Sequence, residues 1–238
     1  MKKLLGYIKF GVLFLLIVLL YAFTTARNHE RKIEEIKVEF IEEQSPYVNE
    51  TMVNKLLIQN QNRATSVGKE ILALNKVEKQ LDQHEMIQNS DVYLSVDGKL
   101  KVSIRQRTPI ARVDAVTPFY VDTKGEIMPL SNNYSAHVPL VYNVSEREVS
   151  EIFPLLKEIR EDEFLKKHVV SVYRNRQGNY ELGFRVYAFK VNFGKAENLK
   201  SKVSNFKAFY KKAIKDKNLK EYRTISLQFR NQVVCTKK

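Results

Sequence analysis

From Phe10 to Phe23 the chain reads FGVLFLLIVLLYAF, without one charged or strongly polar side chain. Such a run cannot lie on the surface of a water-soluble domain, so it divides the chain before any other feature does. With Leu4–Lys9 before it and Thr24–Ala26 after it, the stretch reaches the ~20 residues that cross a bilayer. Lys9 can lay its stem along lipid and keep its ammonium among the headgroups, and Tyr7 and Tyr21 suit the interface. The reading is a membrane anchor over residues 10–26 with residues 1–9 on the cytoplasmic side. A cleaved signal peptide is the alternative, because the start is basic and Thr24-Thr25-Ala26 is a small-residue cleavage site. Arg27, Arg31 and Lys32 follow the run as closely as the lysines precede it, so orientation rests on length. Residues 1–9 are too few to fold, and the long remainder is the exported part. The expected topology is single-pass, with the bulk of the chain on the far side of the membrane.

The formal charge is +13 on 238 residues. Of the 40 Lys and Arg, Lys2, Lys3 and Lys9 alone precede Arg27, and all 27 acidic residues follow it. The positive excess therefore belongs to the folded part. One cysteine, Cys235, excludes an intrachain disulfide, so an exported fold must rest on its core.

After a polar stalk over residues 27–32, Ile33, Ile36, Val38 and Phe40 alternate as a strand, which Ser45-Pro46 ends. Asn49 is placed to cap a helix through about Gln59, with Val48 and Val53 as a hydrophobic staple. Met52, Val53, Leu56 and Leu57 form its apolar stripe. The polar segment Gln59–Gly68 reads as a loop, and Asn75-Lys76-Val77-Glu78 as the capped start of a second helix. Val92, Leu94 and Val96 then alternate, Asp97-Gly98 turns the chain, and Leu100, Val102 and Ile104 alternate back. Asp-Gly between alternating runs signals a hairpin, because a type I′ turn needs positive φ at both central residues. Residues 33–106 thus predict β-α-α-β-β, with two helices over one face of a three-stranded sheet.

Ile104–Val141 reads as strand, turn, strand, punctuated by Pro109 and Pro118, with Gly125 in a tight turn. Ser145-Glu146-Arg147-Glu148 is a capping box opening a helix that buries Val149, Ile152 and Phe153. Pro154 predicts a break there and a second helical segment burying Leu155, Leu156 and Ile159. Strands are expected at Val169–Tyr173, Tyr180–Arg185 and Phe189–Phe193. Glu197 to about Asp216 is a helix with Leu199, Val203, Phe206, Tyr210 and Ile214 inward. Its other face carries Lys200, Lys202, Lys207, Lys211, Lys212 and Lys215. A last strand covers Tyr222–Phe229, with Ile225, Leu227 and Phe229 inward, and residues 231–238 extend it. The class is α+β: an N-terminal transmembrane helix, a small α/β unit, then a mixed β domain over 107–238 with antiparallel sheet and flanking helices.

Little here suggests catalysis. His29, His84, His137 and His168 fall in unrelated elements, none at the i, i+4 spacing of a metal-binding helix, and no Cys pair exists. Nucleophile-elbow, Ser-x-x-Lys and phosphate-loop motifs are absent. Glu161-Asp162-Glu163 reads as a solvated charge run at a helix end. The expectation is no catalytic residue, no metal, no cofactor and no small-molecule substrate. Without Trp or a basic-aromatic motif, nucleic acid is not an expected partner. The lysine face, with Lys200, Lys207 and Lys211 at its centre, has three readings: a solvated surface, an attraction to anionic lipid, or an acidic partner.

Three short motifs carry a resemblance. Arg107-Thr108-Pro109-Ile110-Ala111 leaves the hairpin; Phe119-Tyr120-Val121-Asp122-Thr123-Lys124-Gly125-Glu126-Ile127-Met128-Pro129-Leu130 follows; Val138-Pro139-Leu140-Val141 closes the stretch. In this order after a β-α-α-β-β unit, the chain resembles the FtsQ/DivIB family of bacterial cell-division proteins. The motifs are similar to that family's Glu-Arg-x-Pro-x-Ala exit, its y-v-D-x-x-G-x-x-f-P signature and its l-P-l-v. Gln106 departs from the usual Glu, which would loosen an ion pair at the junction. Ile225-Ser226-Leu227-Gln228 departs from a common Ile-Asp-Leu-Arg run.

The resemblance implies a POTRA-like domain over 33–106 and a non-enzymatic scaffold of the divisome at the septum, single-pass in the cell inner membrane with its bulk periplasmic. It implies binding of bitopic FtsB/FtsL-type partners, and other division proteins, through the end of the β domain. The physical mode is strand addition at an exposed edge. On this sequence the candidate edge is Tyr222, Thr224, Ser226, Gln228 and Arg230, continuing through Gln232, Val233 and Val234. Arg107, Pro109, Asp122, Gly125 and Pro139 are expected to form a structural joint, with Asp122 and Gly125 as turn chemistry. The alternatives are a membrane-tethered periplasmic wall hydrolase and a POTRA-type envelope transport component.

Overall fold

The computed structural model of the protein describes residues 2–29, 35–41, 47–61, 67–95, 99–229 and 232–238. It forms two compact units, Met1–Gln106 and Arg107–Lys238.

The first unit opens with α1, Lys2–His29, so residues 27–29 continue a helix where a stalk was expected. Side chains are described for residues 9–25 of it, and all of them are exposed. Among the described residues, no helix is long and apolar enough to cross a membrane.

The rest of the unit is β1 (Glu35–Phe40), α2 (Glu50–Gln61), α3 (Val67–Asp82), β2 (Ile87–Leu94) and β3 (Lys99–Gln106). The sheet order is β1-β3-β2, with β1 parallel and β2 antiparallel to β3. Asn49 caps α2 by accepting from the Met52 N–H at 2.8 Å. Met52 itself points outward, and Val53 and Leu57 are buried. α3 begins at Val67, eight residues before the expected cap at Asn75, which sits inside the helix. The unbroken helical run Lys69–Leu74, rich in strong helix formers, overrides the local capping signal. Leu94 is exposed at the strand end, and the expected Asp97-Gly98 turn, with Ile33, Ser45 and Pro46, lies outside the described residues.

Gln106 corrects one expectation. It is buried, and its Oε1 accepts from the N–H groups of Tyr47 and Val48, each at 3.0 Å. Its partner is backbone within this unit, and a Glu there would offer the same acceptor. Gln106→Leu should therefore destabilise the first unit by about 2 kcal/mol, the desolvation of orphaned donors, and Gln106→Glu by distinctly less. The first unit's denaturant transition reads both.

In the second unit, β4 (Pro109–Asp114), β5 (Phe119–Asp122), β6 (Ile127–Pro129) and β7 (Leu140–Tyr142) lead into a 3-10 turn and α4 (Val149–Glu161). Then come α5 (Glu163–His168), β8 (Val169–Arg174), β9 (Tyr180–Phe184), β10 (Lys190–Gly194), α6 (Leu199–Lys215), β11 (Tyr222–Ser226) and β12 (Val234–Lys237). The nine strands form one sheet in the order β12-β11-β10-β9-β8-β7-β4-β5-β6. Val113, Val141, Val172, Leu182, Val191 and Ile225 lie side by side across it. All six are essentially inaccessible and belong to one core with Ile152, Leu155, Val203 and Phe206 from the helices. The other sheet face carries Tyr142, Tyr173, Glu181 and Asn192 and bounds a shallow cleft of about 430 Å³.

Helix α4 runs unbroken through Pro154. Pro154 and Ser150 are both exposed, so the Ser150 carbonyl that loses its helical donor lies on the solvent side of the helix, where the loss costs least. The capping box is present, with the Ser145 N–H and Oγ–H donating to Glu148 at 2.9 and 2.7 Å. On α6 the inward positions include Ala213, and Ile214 points to solvent, correcting its expected burial. Asp162 is no solvated charge: its Oδ1 accepts from the Phe164 and Leu165 N–H groups and caps α5.

Candidate functional site: the C-terminal sheet edge

The end of the sheet is built by a crossover. β10 leaves the core, α6 packs over the sheet, and β11 returns parallel to β10, Lys190 opposite Thr224 and Asn192 opposite Ser226. The last ladder bond runs from the Leu227 N–H to the Asn192 carbonyl at 2.8 Å. β11 stops there. Gln228 lies over Gly194, whose φ is +75° and where a Cβ would come within 2.9 Å of Gln228 Cγ. Phe229, expected inward, is exposed, because the chain turns away from the sheet before reaching it.

Val234–Lys237 then pairs antiparallel with β11, Ile225 opposite Cys235 and Ser226 opposite Val234. This corrects the expectation of one long strand with a polar edge. Tyr222, Thr224 and Ser226 lie in a strand paired on both sides, and the outer edge belongs to β12. Gln232 is exposed, Val233 packs on the core, Val234 opens the edge, and Arg230 lies outside the described residues. The tail held a signal for this. Polar Asn231-Gln232 followed by Val233, Val234 and Thr236 is a turn before a β-branched run.

The C-terminal end of β12 is tied to Glu221 twice. The Lys238 N–H donates to the Glu221 carbonyl at 2.8 Å, and Lys237 Nζ reaches the Glu221 carboxylate at 2.9 Å. By the two-residue alternation of an antiparallel ladder, Val234 and Thr236 turn their backbone groups toward β11. Cys235 and Lys237 turn theirs outward. The Cys235 side chain is half-buried beside Ile225, and burial pushes its thiol up. The opposite sheet edge, β6, is a poorer acceptor: three residues long, ending in Pro129, which has no N–H.

The joint residues form a separate cluster. Asp122 is 1 % exposed; its Oδ1 accepts from the Lys124 and Glu126 N–H groups, each at 2.8 Å, and its Oδ2 from Arg107 at 3.1 Å. Gly125 supplies a φ of +85° with Phe153 packed against it, so a Cβ would meet the ring at 3.1 Å. Pro109 is buried in β4, and the Pro139 carbonyl accepts from the Arg112 N–H at 3.0 Å. All of these contacts lie within the second unit.

The lysine face divides. Lys207 pairs with the Asp162 carboxylate, and although burial opposes it, that contact with the capped N–H groups holds the Asp162 carboxyl below its usual range. Lys202 donates to the carbonyls of Phe193 and Lys195 at 3.0 and 2.8 Å. Lys200 and Lys211 are exposed. Among the histidines, His84 Nδ1 accepts from the Met86 N–H, and burial lowers its pKa. His168 lies on Phe164, with its Nδ1 2.8 Å from the Phe164 carbonyl. Among the described residues, no group of three or more His, Cys, Asp and Glu is placed to hold a metal ion.

Comparison with known proteins agrees on the second unit. Residues 108–236 match the protein family described as FtsQ/DivIB, C-terminal related. No curated protein matches the chain.

Proposed function

This chain belongs to the FtsQ/DivIB family, and on that premise we propose that it is a membrane-anchored, non-enzymatic scaffold of the bacterial division machinery. An extended segment of a bitopic FtsB/FtsL-type partner adds to β12 as a tenth strand and places the scaffold among the proteins that build septal wall. The observation that carries this reading is the outer edge of β12, the free end of a nine-stranded sheet, with the backbone of Cys235 and Lys237 directed outward. Val234 and Phe229, 42 % and 49 % exposed, flank that edge as apolar anchors for the incoming segment.

In this reading residues 10–26 span the inner membrane, residues 1–9 are cytoplasmic, and residues 33–106 form a POTRA-like domain outside. The 28-residue length of α1 and the exposed side chains of Phe10–Phe23 support the anchor, since a helix apolar all round needs lipid or a core. The order β-α-α-β-β, closed by a parallel β1–β3 pair, supports the domain.

Proline at Cys235 removes an outward N–H and leaves the ladder to β11 intact. Cys235→Pro in the full chain should weaken capture of the partner's extracytoplasmic segment about tenfold, the equivalent of one good interaction. Its melting temperature should stay close to that of the parent. Thr236→Pro, which strikes the inner ladder, should lower stability as well. Parent-like affinity in a folded Cys235→Pro protein would exclude strand addition at β12.

A further inference from the structure

Helix α6 carries Lys200, Lys202, Lys207, Lys211, Lys212 and Lys215 and no acidic residue. Elsewhere in this unit two exposed helical lysines have local partners, Lys157 with Glu161 at 3.8 Å and Lys166 with Glu163 at 3.4 Å, and the exposed Lys167 of α5 stands singly rather than in a row. On α6 the two lysines that bend inward, Lys202 and Lys207, are held by carbonyls and by Asp162. Lys200, Lys211, Lys212 and Lys215 are exposed, and none has an acidic partner among the described residues. Lys207–Lys211 and Lys211–Lys215 are like-charge i, i+4 pairs, which weaken a helix, and Lys200 in the first turn opposes the helix dipole. Lys212 and Lys215, in the last turn, are favoured by the same dipole, so the local cost falls on Lys200 and Lys211, and an external anion relieves it.

The shape of the face narrows what that anion is. Ser201, Ser204 and Ala208 lie between the lysines on the same side, so the surface is low and the ammonium groups stand above it over ~25 Å of helix. It offers no aromatic or branched anchor at its centre for a protein partner to seat on. The one large apolar side chain, Ile214, is 48 % exposed at the margin, placed to enter a headgroup layer. A flat row of cations without a pocket complements a plane of phosphates. We propose that α6 lies against anionic lipid headgroups, giving the second unit a contact with the bilayer in addition to the tether. This rests on the reading that residues 10–26 anchor the chain in that bilayer.

The test uses the full chain in nanodiscs of phosphatidylcholine or of phosphatidylcholine with phosphatidylglycerol. Co-elution with the zwitterionic discs checks the anchor by itself. Amine-reactive footprinting then compares Lys200, Lys211 and Lys215 with Lys157 and Lys166 as internal references. The expected result is labelling of the α6 lysines slowed about fivefold in the anionic discs, the scale of one lysine at an anionic surface. That protection should vanish when salt shortens the screening length to about 3 Å. Lys211→Glu/Lys215→Glu should abolish the slowing at Lys200 with the chain still in the disc. Equal labelling in both discs overturns the proposal while leaving the anchor standing. Protection by soluble polyglutamate but not by anionic lipid overturns it in favour of an acidic protein partner.

Discussion

Phe206→Ala should cost the second unit about 4 kcal/mol, the range for emptying a fully buried aromatic site. Phe206 is 1 % exposed and its ring lies 5.3 Å from that of Phe184, 5.9 Å from Phe164 and 5.9 Å from Tyr210. Rigid rings from β9, α5 and α6 surround it, so the cavity cannot close by a simple rotamer change. The consequence reaches the edge. α6 is the crossover that lets β11 run parallel beside β10, and β12 pairs with β11 alone. Loosening α6 should therefore speed amide exchange in β11 and β12 before it does so in β4 and β5. Denaturant titration of the full chain, following the second unit's transition, gives the energy. Phe206→Leu, which refills most of the volume, should recover more than half of it. A loss below about 1 kcal/mol for the alanine variant would contradict the packing described.

Asp122→Ala should destabilise the same unit by about 3 kcal/mol, through orphaned groups more than lost attraction. One buried carboxylate satisfies two turn N–H groups and the Arg107 guanidinium. Truncation leaves the two turn N–H groups facing an apolar methyl and takes one carboxylate contact from Arg107. Asp122→Asn keeps one acceptor oxygen for the turn and gives up the ion pair, so it should lose only about half as much. Equal losses in the two variants would mean that the Arg107 pair, not the turn, dominates. Full-chain melting curves separate these outcomes, and partner affinity at low temperature should be unchanged in Asp122→Asn, because the joint and β12 lie at opposite ends of the sheet order.

Expectations drawn from the residues held at three local signals and failed at a fourth, the cap expected at Asn75 inside α3. Asn49 caps α2, Ser145 and Glu148 open the turn before α4, and Asp122 and Gly125 make a tight turn. Each needs only a side chain within a few residues of the backbone group it satisfies. They failed where burial or pairing decided. Pro154 stays inside α4 because its face is wet, and Ile214 turns outward because Ala213 meets the sheet. Asp162 is held by Lys207, 45 residues away, a partner no local pattern announces.

The sequence by itself determined the β-α-α-β-β order of the first unit, the apolar first helix and the family motifs, since these depend on periodicity, turn chemistry and residue identity along the chain. Only the tertiary structure decided which strand is the edge. Tyr222–Ser226 and Val234–Lys237 are both short, half-polar β-branched runs, and nothing in either says which one lies outside. β11 is interior because the α6 crossover delivers it beside β10, and the chain's return leaves β12 as the strand with one side unpaired. Edge status is a property of neighbours, set by long-range backbone pairing.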